Sequence, residues 1–188
     1  MIYIQRKIRK GTPYPSPAVP EGDRNLPTQP FSYRRRVAFG ECDPARIYFA
    51  PLAVDYAVEA VEAWFESALG ISWAGLFAVH GLEAAFRRVS CEFLRPLVAG
   101  QVVRVRLRVV GNTSSRLSFL AAGEEASGEE CFRVRLEGIL AGRDGVTPVP
   151  IPARLLARVE AYRSGCGEGA AHGPAIGAPV LPNPGNGQ

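Results

Sequence analysis

Only two histidines and four cysteines occur in the 188 residues, and neither type clusters. Cys42, Cys91, Cys131 and Cys166 include no C-x-x-C pair, and His80 and His172 stand far apart. The ligand spacing of a metal site is therefore missing, and no metal or other cofactor is expected. There is no G-x-S-x-G elbow, and neither histidine neighbours a nucleophile in a recognisable motif, which sets aside a serine or cysteine triad. His80 reads as an ordinary loop residue. Lysine is scarce as well: Lys7 and Lys10 are the only two, so the formal charge of +4 rests on arginine, whose planar fork suits phosphate. No run approaches the roughly eighteen apolar residues of a membrane span. The opening MIYIQRKIRKGTPYP has no apolar core followed by a cleavage site. A soluble, cytoplasmic, reduced protein with no membrane partner is expected.

What is plentiful is glycine and proline, 20 and 16 residues, concentrated towards the two ends. Residues 1–30 combine prolines and basic residues without sustained periodicity, the composition of a flexible arm. Residues 164–188, SGCGEGAAHGPAIGAPVLPNPGNGQ, cannot recover their ordering entropy by packing and are expected to form a disordered tail. Residues 31–163 then hold one globular domain, in a chain whose 47% hydrophobic content supports a core without staples.

Within that domain the periodicity is clear. From Pro51 the charged positions Asp55, Glu59, Glu62 and Glu66 fall at helical spacing on one stripe, read here as a solvated edge. Leu52, Val54, Tyr56, Ala57, Val58, Val61, Trp64, Phe65 and Leu69 occupy the rest of the circumference, and Gly70 supplies a left-handed stop. A helix so apolar needs a partner that surrounds it. Strand patterns flank it: Tyr33–Phe39 before, and after it Val89-Cys91-Phe93, Val103-Val105-Leu107-Val109, Leu117-Phe119-Ala121 and Phe132-Val134-Leu136. Gly111-Asn112 and Asp144-Gly145 offer turn chemistry, and PARLLARVEAY reads as a closing helix. The order predicts an α+β fold, a curved antiparallel sheet wrapped around one long apolar helix.

The segment RRRVAFGECDPARIYFAPLAVDYAVEA resembles the 4-hydroxybenzoyl-CoA thioesterase family of hotdog proteins. Phe39-Gly40, Glu41, Cys42, Asp43-Pro44-Ala45, Ile47-Tyr48, Phe49 and Pro51 carry the resemblance, and VSCEFLRPLVAGQVVRV and PVPIPARL extend it over residues 33–162. The family implies an acyl-CoA thioester hydrolase with Asp43 as the catalytic carboxylate and the backbone amide near Ala50 binding the thioester oxygen. Tyr48 and Phe49 would lie against the substrate. Arg46, standing where the family has a glycine, would contact substrate or help polarise the carbonyl. Ser115, Arg116 and Arg88 lie nearest the positions where the family grips CoA. It also implies a homodimer or homotetramer with sites between subunits.

Physical chemistry agrees with the assignment. A helix N-terminus carries unpaired N–H groups and partial positive charge, suited to the oxyanion formed when a carbonyl is attacked. A thiol of pKa about 8.5 leaves easily, so one carboxylate suffices, as nucleophile or as general base. Other readings stay open on the residues alone. Asp43 is also a natural turn cap before Pro44, Asp55 or Glu59 would serve if the acid lay on the helix, and the strand arginines also suit a wet sheet face. The thioester would sit on CoA or on an acyl carrier protein, or be bound without hydrolysis. A nucleic-acid partner is not expected, since no exposed stacking aromatics accompany the arginines.

Overall fold

The structure, a computed structural model, describes residues 30–44, 47, 48 and 50–165. The expected arm and tail lie almost wholly outside them. The chain runs β1 (Phe31–Arg36), a 3-10 turn (Phe39–Glu41), α1 (Leu52–Trp64) prolonged by a π-turn (Phe65–Leu69), and α2 (Trp73–His80). Then follow β2 (Glu83–Phe93), β3 (Val102–Asn112), β4 (Arg116–Glu124), β5 (Glu130–Ala141) and α3 (Ala153–Gly165). The strands form one antiparallel sheet in the order β1-β3-β4-β5-β2.

Strict alternation decides which face is covered. In β3, Val103, Val105, Leu107 and Val109 are buried while Arg104 and Arg106 point away from the core. Register then aligns the inward rows: Val109 stands opposite Phe119, and Phe119 opposite Leu136, while Ala121 stands between Leu107 and Val134. The result is a continuous apolar floor, on which α1 lies with Ala53, Tyr56, Ala57, Ala60, Val61 and Trp64 buried. Three alanines on this face let the helix approach closely. The Trp64 ring meets Phe65, Phe119 and Tyr162 edge-on at 5.4, 5.5 and 5.3 Å, tying helix, sheet and α3 into one core. Truncating such a side chain costs about 3–5 kcal/mol. Gly70, at φ 72°, ends the π-turn as its position predicts.

Four local expectations are corrected. The acidic stripe of α1 is not a solvated edge: Asp55, Glu59, Glu62 and Glu66 are all partly buried, because β1 and its neighbours press against that side. Gly111-Asn112 is not the β3–β4 turn. β3 continues to Asn112 with a bulge between Val109 and Gly111, and the turn falls on Thr113–Ser115. There the Thr113 hydroxyl accepts from the amides of Ser115 and Arg116 at 3.4 and 3.1 Å, so a side chain supplies the bonds a glycine turn would need. The first strand ends at Arg36 rather than Phe39, since Phe39–Glu41 coils into the 3-10 turn. His80 closes α2 instead of lying in a loop.

Candidate active site

Residue by residue, the loop between β1 and α1 explains its own shape. β1 alternates, so Tyr33 and Arg35 face α1 while Arg34 and Arg36 face outward. Val37 keeps the ladder going by accepting from Gly100 and donating to Gln101, each at 2.9 Å. After the 3-10 turn, Cys42 bridges to Tyr48 and Ile47 to Val98, and the Tyr48 amide donates to Leu97 at 2.8 Å. A small hairpin is thus hooked onto the β2–β3 connection.

Asp43 stands in that hairpin, and its carboxylate is exposed. Its N–H donates to the Ile47 carbonyl at 2.8 Å, and its Oδ1 accepts from the Ile47 N–H at 3.1 Å. The aspartate therefore does cap the turn. Oδ2 has no partner among the described residues, so capping occupies one oxygen and leaves the other. The hairpin leads through Ala50 and Pro51 into α1, where the amides of Ala53 and Val54 donate to the carbonyls of Ala50 and Pro51 at 3.0 and 3.2 Å. The amides of Ala50 and Leu52 are then the ones at this positive helix end for an outside acceptor.

The other residues named from sequence are dispersed. Tyr48 is buried against Tyr56, ring centroids 5.1 Å apart, on the opposite side of the hairpin from Asp43. Its hydroxyl is enclosed without a hydrogen-bond partner among the described residues, and burial, with Tyr56, Glu41, Asp55 and Glu59 nearby, holds its pKa far above the ordinary phenol value. Arg46 and Phe49 lie outside the described residues. Arg88 is exposed in mid-β2, 3.8 Å from Glu137. Ser115 and Arg116 sit at the β3–β4 turn, whereas the Asp43 hairpin attaches just before β3 begins. The eleven residues of β3 put roughly 30–35 Å between those two ends at about 3.3 Å per residue. A single chain does not bring Arg116 to Asp43.

A polar cluster that sequence reading left out lies between β1 and α1. Glu41 Oε2 accepts from the Ala38 N–H and from the Tyr56 hydroxyl, each at 2.7 Å, and its Oε1 accepts from Arg35 at 2.8 Å. Glu59 Oε2 accepts from the Tyr33 hydroxyl at 3.1 Å and lies 3.1 Å from Arg35 Nε, the latter a charge contact off the hydrogen-bond line. The Arg35 guanidinium also covers the Tyr56 ring at 5.1 Å. Burial alone would lower the Arg35 pKa, but Glu59 and Glu41 outweigh it and hold the pKa above its ordinary value. Burial first, and the bond to Glu41 second, raise that of Tyr56. The sequence signal was the pair Tyr33 and Arg35, polar residues on the inward side of an alternating strand, which require inward partners.

Nucleophilic cysteine chemistry has no support in two of the thiols. Burial, with Glu92 adding to it, pushes Cys91 up to about 11, and burial also raises Cys131, so both stay protonated at neutral pH. Between α1 and the β2 side of the sheet, Val61, Phe65, Phe86, Leu117, Phe119 and Ile139 help line an apolar cavity of about 10 Å³. It is too small for an acyl group and too apolar to hold water well.

A family model described as the thioesterase-like superfamily matches residues 37–159, which hold the Asp43 hairpin, α1, α2 and β2 to β5. The chain belongs to the thioesterase-like superfamily. It is a thioester hydrolase with the hotdog arrangement of sheet and central helix. Among solved structures, a thioesterase superfamily protein from Jannaschia sp. CCS1 matches with TM-score 0.66 and 23% identity, over 74% of this chain and 96% of that one. A 1,4-dihydroxy-2-naphthoyl-CoA thioesterase from Synechocystis matches with TM-score 0.63 and 19% identity, over 69% and 94%. A Staphylococcus aureus protein solved in complex with CoA gives TM-score 0.71 and 14% identity, over 83% and 100%. At these identities the likeness is one of fold. A search of curated proteins found no match. The hairpin carries the Asp43 carboxylate on the loop that enters α1, whose first amides have no intrahelical acceptor. No helix among the described residues is long and apolar enough to cross a membrane.

Proposed function

We propose that the protein hydrolyses acyl-CoA thioesters, with Asp43 as the catalytic carboxylate and the amides at the entrance of α1, around Ala50, receiving the thioester oxygen. The observation that carries this reading is the placement of Asp43, its Oδ2 without a partner among the described residues, on the loop that leads directly into α1. Asp43 either attacks the carbonyl carbon, giving an anhydride that water then cleaves, or removes a proton from the attacking water. In both routes the C–S bond breaks, the electron pair leaves with sulfur and the thiol is released. The weak basicity of the leaving thiolate is why no second acid is needed. The D-P-A segment and the fold shared with a naphthoyl-CoA thioesterase favour aromatic acyl groups.

The active form in this reading is a homodimer joined at β2, which is a free edge of the single-chain sheet. A partner then supplies Ser115 and Arg116, and Arg116 grips a CoA phosphate. The test is thiol release from a panel of aromatic and aliphatic acyl-CoAs, with one acyl group also offered on a carrier protein. Asp43→Asn should lower kcat by roughly 10²–10⁴-fold. Turnover at the wild-type rate would remove Asp43 from the chemistry. Preference for the carrier-bound form would replace CoA as the substrate handle, and tight binding of CoA esters without hydrolysis would reduce the protein to a binder.

A further inference from the structure

The cluster between β1 and α1 takes no part in the reaction outlined above, yet it grips the chain two residues from Asp43. We infer that the Tyr56–Glu41 hydrogen bond is a positioning strut, holding the Asp43 hairpin at a set distance from the N-terminal end of α1. The inference rests on the role proposed for Asp43.

Consider what else holds the hairpin. Its described backbone ties, from Tyr48 to Leu97 and from Ile47 to Val98, all run to the β2–β3 connection and none to α1. Apart from the packing of the Tyr48 ring on Tyr56, which Tyr56→Phe would keep, the polar link to α1 passes through Glu41. That carboxylate shapes its own turn by accepting from the Ala38 N–H, while the Glu41 amide donates back to the Ala38 carbonyl at 3.0 Å. The same oxygen then accepts from Tyr56, five residues into the helix from Pro51. Tyr56 cannot yield, being buried between Tyr48 at 5.1 Å and Phe132 at 6.5 Å. A second path runs in parallel, because Arg35 contacts both Glu41 and Glu59, and Glu59 also belongs to α1.

Such bracing has a kinetic meaning. The catalytic oxygen sits on an exposed hairpin and the oxyanion donors on a buried helix, so their separation depends on whatever joins the two. Catalytic groups need placement to about 0.5 Å, and a 1 Å error costs about 10²-fold in rate. Binding of the acyl-CoA by the remainder of the site does not depend on that separation.

Tyr56→Phe is the cleanest test, since it removes one hydroxyl and keeps the ring contacts. The expected result, per folded molecule, is a kcat lowered about 10–100-fold with KM little changed. Glu41→Gln, which keeps an acceptor for Tyr56, should lose less than Glu41→Ala, and melting temperatures separate these effects from unfolding. Should Glu41→Ala not fold, Tyr56→Phe decides alone. A Tyr56→Phe enzyme with wild-type kcat, or with only KM raised, overturns the strut while leaving Asp43 in place if Asp43→Asn is inactive. Asp43→Asn at full activity removes the reading and the strut together.

Discussion

Gly123 shows how one residue's identity is set by the residue across the sheet. It lies in β4 directly opposite Phe132 in β5, and a Cβ added to it would sit 2.3 Å from two atoms of the Phe132 ring. The ring thus occupies the space that a side chain would need, over the floor on which Tyr56 rests. Gly123→Ala should destabilise the fold by about 1–3 kcal/mol through overpacking, measured by thermal or denaturant unfolding. Adding Phe132→Leu should recover part of the loss, and an unaltered midpoint in Gly123→Ala would show that the ring can swing aside at no cost. The inward direction of Phe132 was legible from alternation, but the need for glycine at 123 was not, because it depends on a register that one sequence does not reveal. Glu59 illustrates the same limit from the other side. Four acids at helical spacing read as a wet stripe, and the sequence of α1 alone does not show that Tyr33 and Arg35 arrive from β1 to engage Glu59.

Among the elements, α3 does more than close the domain. The buried Tyr162 hydroxyl donates to the Leu107 carbonyl and accepts from the Phe31 N–H, both at 2.7 Å, while its ring packs on Trp64. One phenol therefore joins α3 to β3 and to the start of β1, the strand that delivers the chain to the Asp43 hairpin. Tyr162→Phe would leave a buried carbonyl and a partly buried amide without that partner, costing about 1–3 kcal/mol. Hydrogen exchange should quicken first at Phe31 and along β1. Uniform loss of protection across the whole sheet would mean that β1 is not a separately released element. The closing helix and the cores of the four later strands were readable from regular periodicity, but β2 was legible only from Arg88 onward, because the register shift between Phe86 and Arg88 breaks the alternation of its first half. α2 was not, since WAGLFAVH is apolar on nearly every side and offers no polar stripe; its Ser72 cap on the Gly75 amide and its stop at Gly81 were the available cues.

At the scale of the molecule the open question is what completes the site. β2 is an eleven-residue edge strand whose inward row includes Val89 and Phe93, 38% and 53% exposed, apolar surface a single chain leaves wet. Arg116 meanwhile lies at the far end of the sheet from Asp43. Both facts follow at once if a second copy pairs antiparallel along β2, because the two-fold axis carries the partner's far end towards the first chain's hairpin. Each site then takes Asp43 from one subunit and Arg116 from the other, an arrangement that subunit mixing detects. Asp43→Asn should be inactive, and Arg116→Ala should be weak at low acyl-CoA through a raised KM. Co-refolded together, the two form mixed dimers in which one of the two sites has both residues intact. Activity at low substrate should then return to about a quarter of the wild-type value, because half the dimers are mixed and half of their sites are whole. Activity no greater than the average of the two separate variants would place both residues of each site on one chain. Since the length of β3, roughly 30 Å at about 3.3 Å per residue, separates the two ends of the sheet where they lie, Arg116 would then not be a substrate contact but surface charge.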